Sequence, residues 1–358
     1  MYALKESQLL NLKKHKYSTV NISLLDPLFQ IWWNTVIHYV PLWVAPNLLT
    51  IVGLIVNALT SLILVFETNC ATTEAPGYAW YLCALGLFIY QTLDAIDGKQ
   101  ARRTNTTSSL GELFDHGCDS ITTIFISISA GCCFRLGKEP ELLFFQCVFC
   151  CLLFYSTHWD AYITRTVLFG KFDVTECQTG LMLLLVASGM FGIQIWEYSV
   201  ISNWTLKGIC IYTCVILGVY NLITKLYSII TGYRSNNMTL AGAFRPLVPL
   251  LVFMLFFVMY IKLDIVKQDP LKIIFGFHFL FSKLNNTLIV SHMSKHPMNI
   301  KIFVLLSPLV ILFGNMLGVD TGLSSLIFLI ITFTDLMIYN ARICQQLCNY
   351  LNIYLFKI

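Results

Sequence analysis

The feature that most constrains this chain is a succession of long, almost uncharged apolar runs. A helix rising 1.5 Å per residue needs about 20 residues to cross the roughly 30 Å hydrocarbon core of a bilayer. Runs of that kind fall at roughly 47–66, 78–96, 116–134, 141–158, 178–200, 207–230, 246–261, 271–291, 301–317 and 321–341. They are continuous, unlike the alternating segments of about ten residues that build a membrane β-barrel. Only 12% of the 358 residues are charged and 57% are apolar, whereas a soluble domain carries about 25% charged residues. Too few charges remain for a hydrated surface or for intrinsic disorder. The expected fold is all-α: a polytopic membrane protein of about ten transmembrane helices. A net charge of +4 gives no reason to expect a nucleic-acid partner.

Residues 1–20 are polar and lack the apolar core of a cleavable signal peptide. The stretch Leu24–Val44 holds Trp32, Trp33, Tyr39 and Trp43 but is broken by Pro27 and Pro41. An amphipathic helix lying along the membrane interface is expected there, anchored by its tryptophans. With the N-terminus in the cytosol, 16 of the 23 Lys and Arg residues fall in cytosolic segments and six on the opposite side; Lys283 lies within a run. That imbalance predicts an even number of spans and two cytosolic termini. The chain then divides into a cytosolic and interfacial part (1–45), spans one to six (46–230) and spans seven to ten (231–358). The last part carries no chemical motif, and lipid access or dimer contacts are expected of it. Most of the 13 cysteines lie inside runs, where Cys serves as a small apolar residue.

Five of the 19 acids fall in one window of 26 residues: Asp94, Asp97, Glu112, Asp115 and Asp119. Acids at membrane-embedded helix ends are costly and point to function. Asp94 and Asp97 are three apart, Asp115 and Asp119 four apart, so each pair shares a helix face. Two antiparallel helices joined by a short loop can turn both pairs toward one another. Four carboxylates without Cys or His suit a hard cation such as Mg²⁺, Mn²⁺ or Ca²⁺, and are enough for the two ions that clamp attacking and leaving oxygens in phosphoryl transfer. Gly98, Ala101 and Gly111, each one turn from a carboxylate, leave room for a phosphate ligand. Arg102 is placed to pair with phosphate oxygens. The other intramembrane charges, Glu197, Lys283 and Asp335, are isolated; Lys283 and Asp335 are candidates for an ion pair between spans eight and ten.

Residues 94–119 read D-A-I-D-G-K-Q-A-R-R-T-N-T-T-S-S-L-G-E-L-F-D-H-G-C-D. They match every fixed position of D-x2-D-G-x2-A-R-x8-G-x3-D-x3-D, the signature of the CDP-alcohol phosphotransferase family. With P-N-L-L-T at 46–50 and F-G-K-F-D-V-T-E at 169–176, the chain resembles the eukaryotic choline/ethanolamine phosphotransferase branch.

The resemblance implies transfer of phosphocholine or phosphoethanolamine from CDP-choline or CDP-ethanolamine to diacylglycerol, with release of CMP. It implies two Mg²⁺ or Mn²⁺ ions on Asp94, Asp97, Asp115 and Asp119, with Asn47, Gly98, Ala101, Arg102 and Gly111 on the nucleotide side. It implies a homodimer in the endoplasmic reticulum or Golgi membrane with the site facing the cytosol. The base is open between Asp119, the candidate of the wider family, and His116, the extra histidine of this branch. Imidazole titrates nearest cytosolic pH and is the better chemical choice. Glu112 lies four residues before His116 and Asp119 three after, so either is positioned to orient the ring. Tyr155, Trp159 and Tyr162 are candidates for an aromatic wall around a quaternary ammonium. Two alternatives remain: another family member, such as a phosphatidylinositol synthase, which is typically shorter with about six spans; or a divalent-cation transporter, which usually shows a second, repeated acidic site, absent here.

Overall fold

The computed structural model describes residues 4–201, 204–236 and 238–358. Two short helices, α1 (Glu6–Lys13) and α2 (Asp26–Val36), precede a bundle of α3 (Pro46–Glu67), α4 (Gly77–Arg103), α5 (Ser109–Cys133), α6 (Pro140–Thr164), α7 (Val174–Phe191) and α8 (Leu206–Ser235). The single turn α9 (Leu240–Ala243) leads to α10 (Leu247–Lys262), a second turn α11 (Ile265–Gln268), then α12 (Pro270–Ser294), α13 (Leu309–Met316) and α14 (Thr321–Leu351). Seven of these, α3, α4, α6, α7, α8, α12 and α14, are long and apolar enough to cross a bilayer. Helix α5 is 25 residues long but carries the acids, and the 247–262 and 303–316 helical stretches are shorter. Each apolar run therefore lies on a helix.

Boundaries differ where the backbone intervenes. The run at 178–200 is helical only to Phe191, because Gly192 adopts φ +72°, a conformation that ends helices. A 3₁₀ turn (Ile193–Glu197) follows. The run at 301–317 divides into a 3₁₀ turn, Phe303–Leu306, and α13, with Pro308 between them. Proline also opens α3, α6 and α12, where its missing N–H costs nothing.

The chain alternates between two ends of the bundle. At one end Leu4 N donates to Gln346 Oε1 (2.8 Å), Asn11 Nδ2 to Ser294 O (2.8 Å), Asn47 Nδ2 to Leu355 O (2.9 Å) and Arg165 Nη1 to His292 O (3.2 Å). At the other, Gly137 N meets Ala71 O (3.0 Å), Arg135 pairs with Glu197 (3.2 Å) and Lys207 with Glu139 (2.7 Å). Both chain ends thus share one end, as an even number of crossings requires. A two-stranded parallel sheet of β1 (Thr19–Asn21) and β2 (Val167–Phe169) pins the N-terminal segment at that same end. A hairpin of β3 (Ser199–Ile201) and β4 (Trp204–Thr205) lies at the other. Helix α2 runs beside the α4 end: Trp33 is buried with Ile37, Leu49 and Ile96, Trp32 Nε1 donates to Thr92 Oγ1 (3.1 Å), and Tyr39 and Trp43 stay exposed.

Helices α3 and α4 approach closely, since a Cβ at Gly86 would stand 2.0 Å from Thr60 Oγ1. Helix α12 is the central post, buried along most of its length. His278 Nε2 (2.9 Å) and Ser282 Oγ (2.7 Å) both donate to Ser120 O of α5, and Asn286 links Ser120 Oγ (2.9 Å) to Asn340 of α14 (3.0 Å). These bonds fix how α5 is rotated.

Candidate active site

Ser108 caps α5 by accepting from Gly111 N (3.2 Å), so the loop from α4 to α5 is short and the helices run antiparallel. They scarcely touch each other: α4 lies against α3 and α7, α5 against α3 and α12. The carboxylates stand where α3, α4 and α5 come together. Thr50 Oγ1 of α3 donates to Asp97 Oδ2 (2.5 Å), and Tyr90 OH of α4 donates to Asp119 Oδ1 (2.5 Å).

Asp94, Asp97 and Asp115 each offer a ligand oxygen, and these atoms lie within 4.8 Å of one another. Asp94 Oδ1 and Asp115 Oδ1 are buried with no hydrogen-bond partner. Among the described residues no Lys or Arg forms a salt bridge with any of the four aspartates. Like charges this close in a poorly solvated site repel strongly, and lone buried acceptors are expensive. An oxygen-only set with orphaned acceptors fits a hard divalent cation. Asp119 stands outside this triad of oxygens and is held by Tyr90.

On the nucleotide side, Arg102 is exposed and folds back along its helix: a Cβ at Gly98 would lie 3.5 Å from its Nη1. A Cβ at Gly111 would lie 3.6 Å from Asn47 Oδ1, so Asn47 and Gly111 face each other across α3 and α5. Ala101 is half-buried near the C-terminal end of α4.

His116 is buried, its ring edge-on to His158 of α6 (5.1 Å) and 6.0 Å from Tyr17. Among the described residues it has no side-chain hydrogen bond, which leaves its ring nitrogens available. Glu112 turns instead to His15, whose Nε2 lies 2.9 and 3.0 Å from its two oxygens. Tyr155, Trp159 and Tyr162 are buried against the 242–246 segment. Tyr155 OH donates to Pro246 O (2.9 Å), Trp159 Nε1 to Ala243 O (2.9 Å), and Tyr162 OH lies 3.5 Å from Gly242 O. Thr50, Tyr90, His15 and His158 are the site residues that spacing alone did not single out. Tyr90 was within reach of such reasoning, being four residues before Asp94.

Beside the opposite flank of α5 lies an apolar cavity of about 270 Å³ between α3, α5, α12 and α14, lined by Ile51, Phe114, Gly117, Ile289, Val290 and Tyr339 among others.

The family model for CDP-alcohol phosphatidyltransferases matches residues 43–220. Cholinephosphotransferase 1 of Homo sapiens is 37% identical over 364 residues, covering 99% of this chain and 89% of that protein. The Danio rerio cholinephosphotransferase 1 is 35% identical over 368 residues, covering 99% and 95%.

Proposed function

The chain belongs to the CDP-alcohol phosphatidyltransferase family, and from that premise we propose that it transfers phosphocholine from CDP-choline to diacylglycerol, releasing CMP. The observation that carries the reading is the convergence of Asp94, Asp97 and Asp115 with orphaned buried oxygens, next to a histidine that has no side-chain hydrogen bond among the described residues. CDP-ethanolamine fits the same chemistry, and similarity to cholinephosphotransferases favours the choline form.

Asp94, Asp97, Asp115 and Asp119 would hold two Mg²⁺ or Mn²⁺ ions. Such ions, when bound, neutralise the pyrophosphate and the charge that builds on the departing CMP oxygen. Arg102 reaches phosphate oxygens at the mouth, and the bare backbone at Gly98 and Gly111, with Ala101 and Asn47, leaves space for the nucleotide. A ring nitrogen of His116 takes the proton of the acceptor hydroxyl. That oxygen bonds to the β-phosphorus as the phosphoanhydride bond to CMP breaks. Asp119 already accepts a 2.5 Å hydrogen bond from Tyr90, which occupies one of its oxygens, whereas the His116 ring is uncommitted and is the better-suited base.

The acceptor remains in the bilayer, and the apolar cavity flanking α5 is suited to part of its hydrocarbon. The excess of Lys and Arg at the end shared by both termini argues for a cytosolic site, where water-soluble CDP-alcohols reach it. A homodimer in the endoplasmic reticulum or Golgi membrane, with part of 231–358 at its contacts, completes the proposal.

Purified protein with radiolabelled CDP-choline or CDP-ethanolamine, diacylglycerol and either Mg²⁺ or Mn²⁺ tests it. Labelled phosphatidylcholine is expected. Absence of any lipid product, with divalent-cation flux in liposomes, overturns it in favour of transport.

A further inference from the structure

We propose that His15, carried to the site by the N-terminal segment, is a positioning residue for the transfer: it fixes the Glu112 carboxylate on the turn of α5 that precedes His116. The inference rests on the proposed phosphotransfer and adds to it a group 97 residues away in sequence.

The segment before α2 crosses the end of the bundle that carries the carboxylates. It is tied down on both sides of His15. On one side Leu4 N donates to Gln346 Oε1 (2.8 Å) and Asn11 Nδ2 to Ser294 O (2.8 Å). On the other, β1 pairs with β2 and Ser23 Oγ donates to Glu176 Oε1 (2.6 Å). With anchors on either flank, the segment does not depend on His15 for its attachment. The His15–Glu112 contact has a different character from those anchors. One imidazole nitrogen faces both carboxylate oxygens at 2.9 and 3.0 Å, and the two side chains are only 8% and 10% exposed. A hydrogen bond to a carboxylate in so dry a place is of the strong, orienting kind.

Glu112 is where orientation matters. It lies three residues before Asp115 and four before His116, so it shares their face of α5. Left free, a flexible carboxylate beside the aspartate triad is repelled by it and has several rotamers to choose from. Held by His15, it has one. The same segment brings Tyr17 to 6.0 Å from His116 and sets the His15 ring 5.9 Å from His292. Two separate residues of the segment therefore converge on the histidine cluster, which an incidental tether does not require.

Steady-state kinetics on the purified full chain, with CDP-choline, diacylglycerol and Mg²⁺, decide the matter. His15→Ala is expected to lower kcat about tenfold, the low end of the 10–100-fold loss typical when an orienting partner is removed, with KM for CDP-choline within about twofold. His15→Gln keeps an amide N–H at similar reach and restores most of the loss. Asn11→Ala, which removes an anchor only, leaves kcat unchanged. In a double-mutant cycle, His15→Ala adds nothing to Glu112→Gln, because the two act as one unit. A wild-type kcat in His15→Ala, or a loss that multiplies with that of Glu112→Gln, overturns the proposal. Where His15→Ala folds poorly, the Gln variant decides alone: a stable His15→Gln protein without recovered kcat also overturns it. A wild-type protein inactive with every CDP-alcohol refutes the phosphotransfer reading itself, a distinguishable result.

Discussion

Two kinds of carboxylate lie inside this bundle, and they differ in where their counter-charge comes from. Asp335 of α14 meets Lys283 of α12 at 2.9 Å, with the ammonium 4.1 Å from the Tyr339 ring centre. Asp160 of α6 accepts from Ser228 Oγ at 2.6 Å and has Lys225 of α8 at 3.7 Å. Each pair joins two helices and carries its counter-charge within the chain, although Asp160 Oδ2 itself lacks a hydrogen bond. Asp94, Asp97 and Asp115 crowd together, with Thr50 donating to Asp97 and, among the described residues, no lysine or arginine paired with any of the three. Burying a charge is costly whichever residues do it. A bundle that neutralises some carboxylates with lysine and leaves three others converging has set those three aside for something it does not itself supply.

The largest effect should come from breaking that distinction at the site. Asp97→Asn or Asp115→Asn is expected to reduce product formation on the order of 10³-fold or more, several kcal/mol of lost transition-state stabilisation. The same variants should melt no lower than wild type in EDTA, because each removes a repelling charge. Divalent ions should raise the wild-type melting temperature and raise that of Asp115→Asn less. A variant that melts well below wild type in EDTA would place these acids with the structural pairs.

Lys283→Met reverses the logic. It removes the ammonium paired with Asp335 and should destabilise the protein by about 3–5 kcal/mol, seen as a lower melting temperature in detergent. Turnover per folded molecule should survive. Lys283→Met/Asp335→Leu should recover most of the stability, since an apolar pair of similar volume is often no worse than the ions. Loss of turnover at unchanged stability would instead assign this pair to the reaction.

Much of this contrast was legible in the sequence, because helical periodicity is local. Spacings of three and four put Asp94 beside Asp97 and pointed to Asp115 on the next helix, whereas Asp119 stands outside the triad on Tyr90 and the two helices meet through α3. The Lys283–Asp335 pair was legible as two isolated charges on apolar runs. The ten runs found their helices for the same reason, although Gly192 stopped α7 short by a backbone conformation that hydropathy does not register. What escaped depended on the approach of distant segments. His15 reaches Glu112 across 97 residues, and His158 and His292 join the cluster only once α6 and α12 are packed. Glu112, one turn from His116 by spacing, faces a different histidine in space.

His116→Ala sharpens the comparison within the site. Removal of a general base typically costs 10²–10⁴-fold, and a loss of about 10²-fold in kcat is expected here, with divalent-ion stabilisation of the protein intact. Metal response and turnover would then separate, one following the aspartates and the other the imidazole. Near-normal turnover in His116→Ala would return the base to Asp119.

The smallest effect concerns the aromatic residues 155, 159 and 162, which the same comparison assigns to structure. Their polar atoms face carbonyls of the 242–246 segment, so they resemble the closed ion pairs more than the open aspartates. Tyr155→Phe removes one buried hydrogen bond and should cost about 1 kcal/mol of stability. Trp159→Phe should cost a similar amount through the lost bond to Ala243 O and some lost packing. In both, the ratio of kcat/KM for CDP-choline to that for CDP-ethanolamine should stay at the wild-type value. A cation held against an aromatic face is worth about 0.5–2 kcal/mol, so a wall that truly gripped choline would lower that ratio severalfold or more. A shift of that size would move these rings from the framework to the substrate, and the bonds to 242–246 would then be what holds the wall upright.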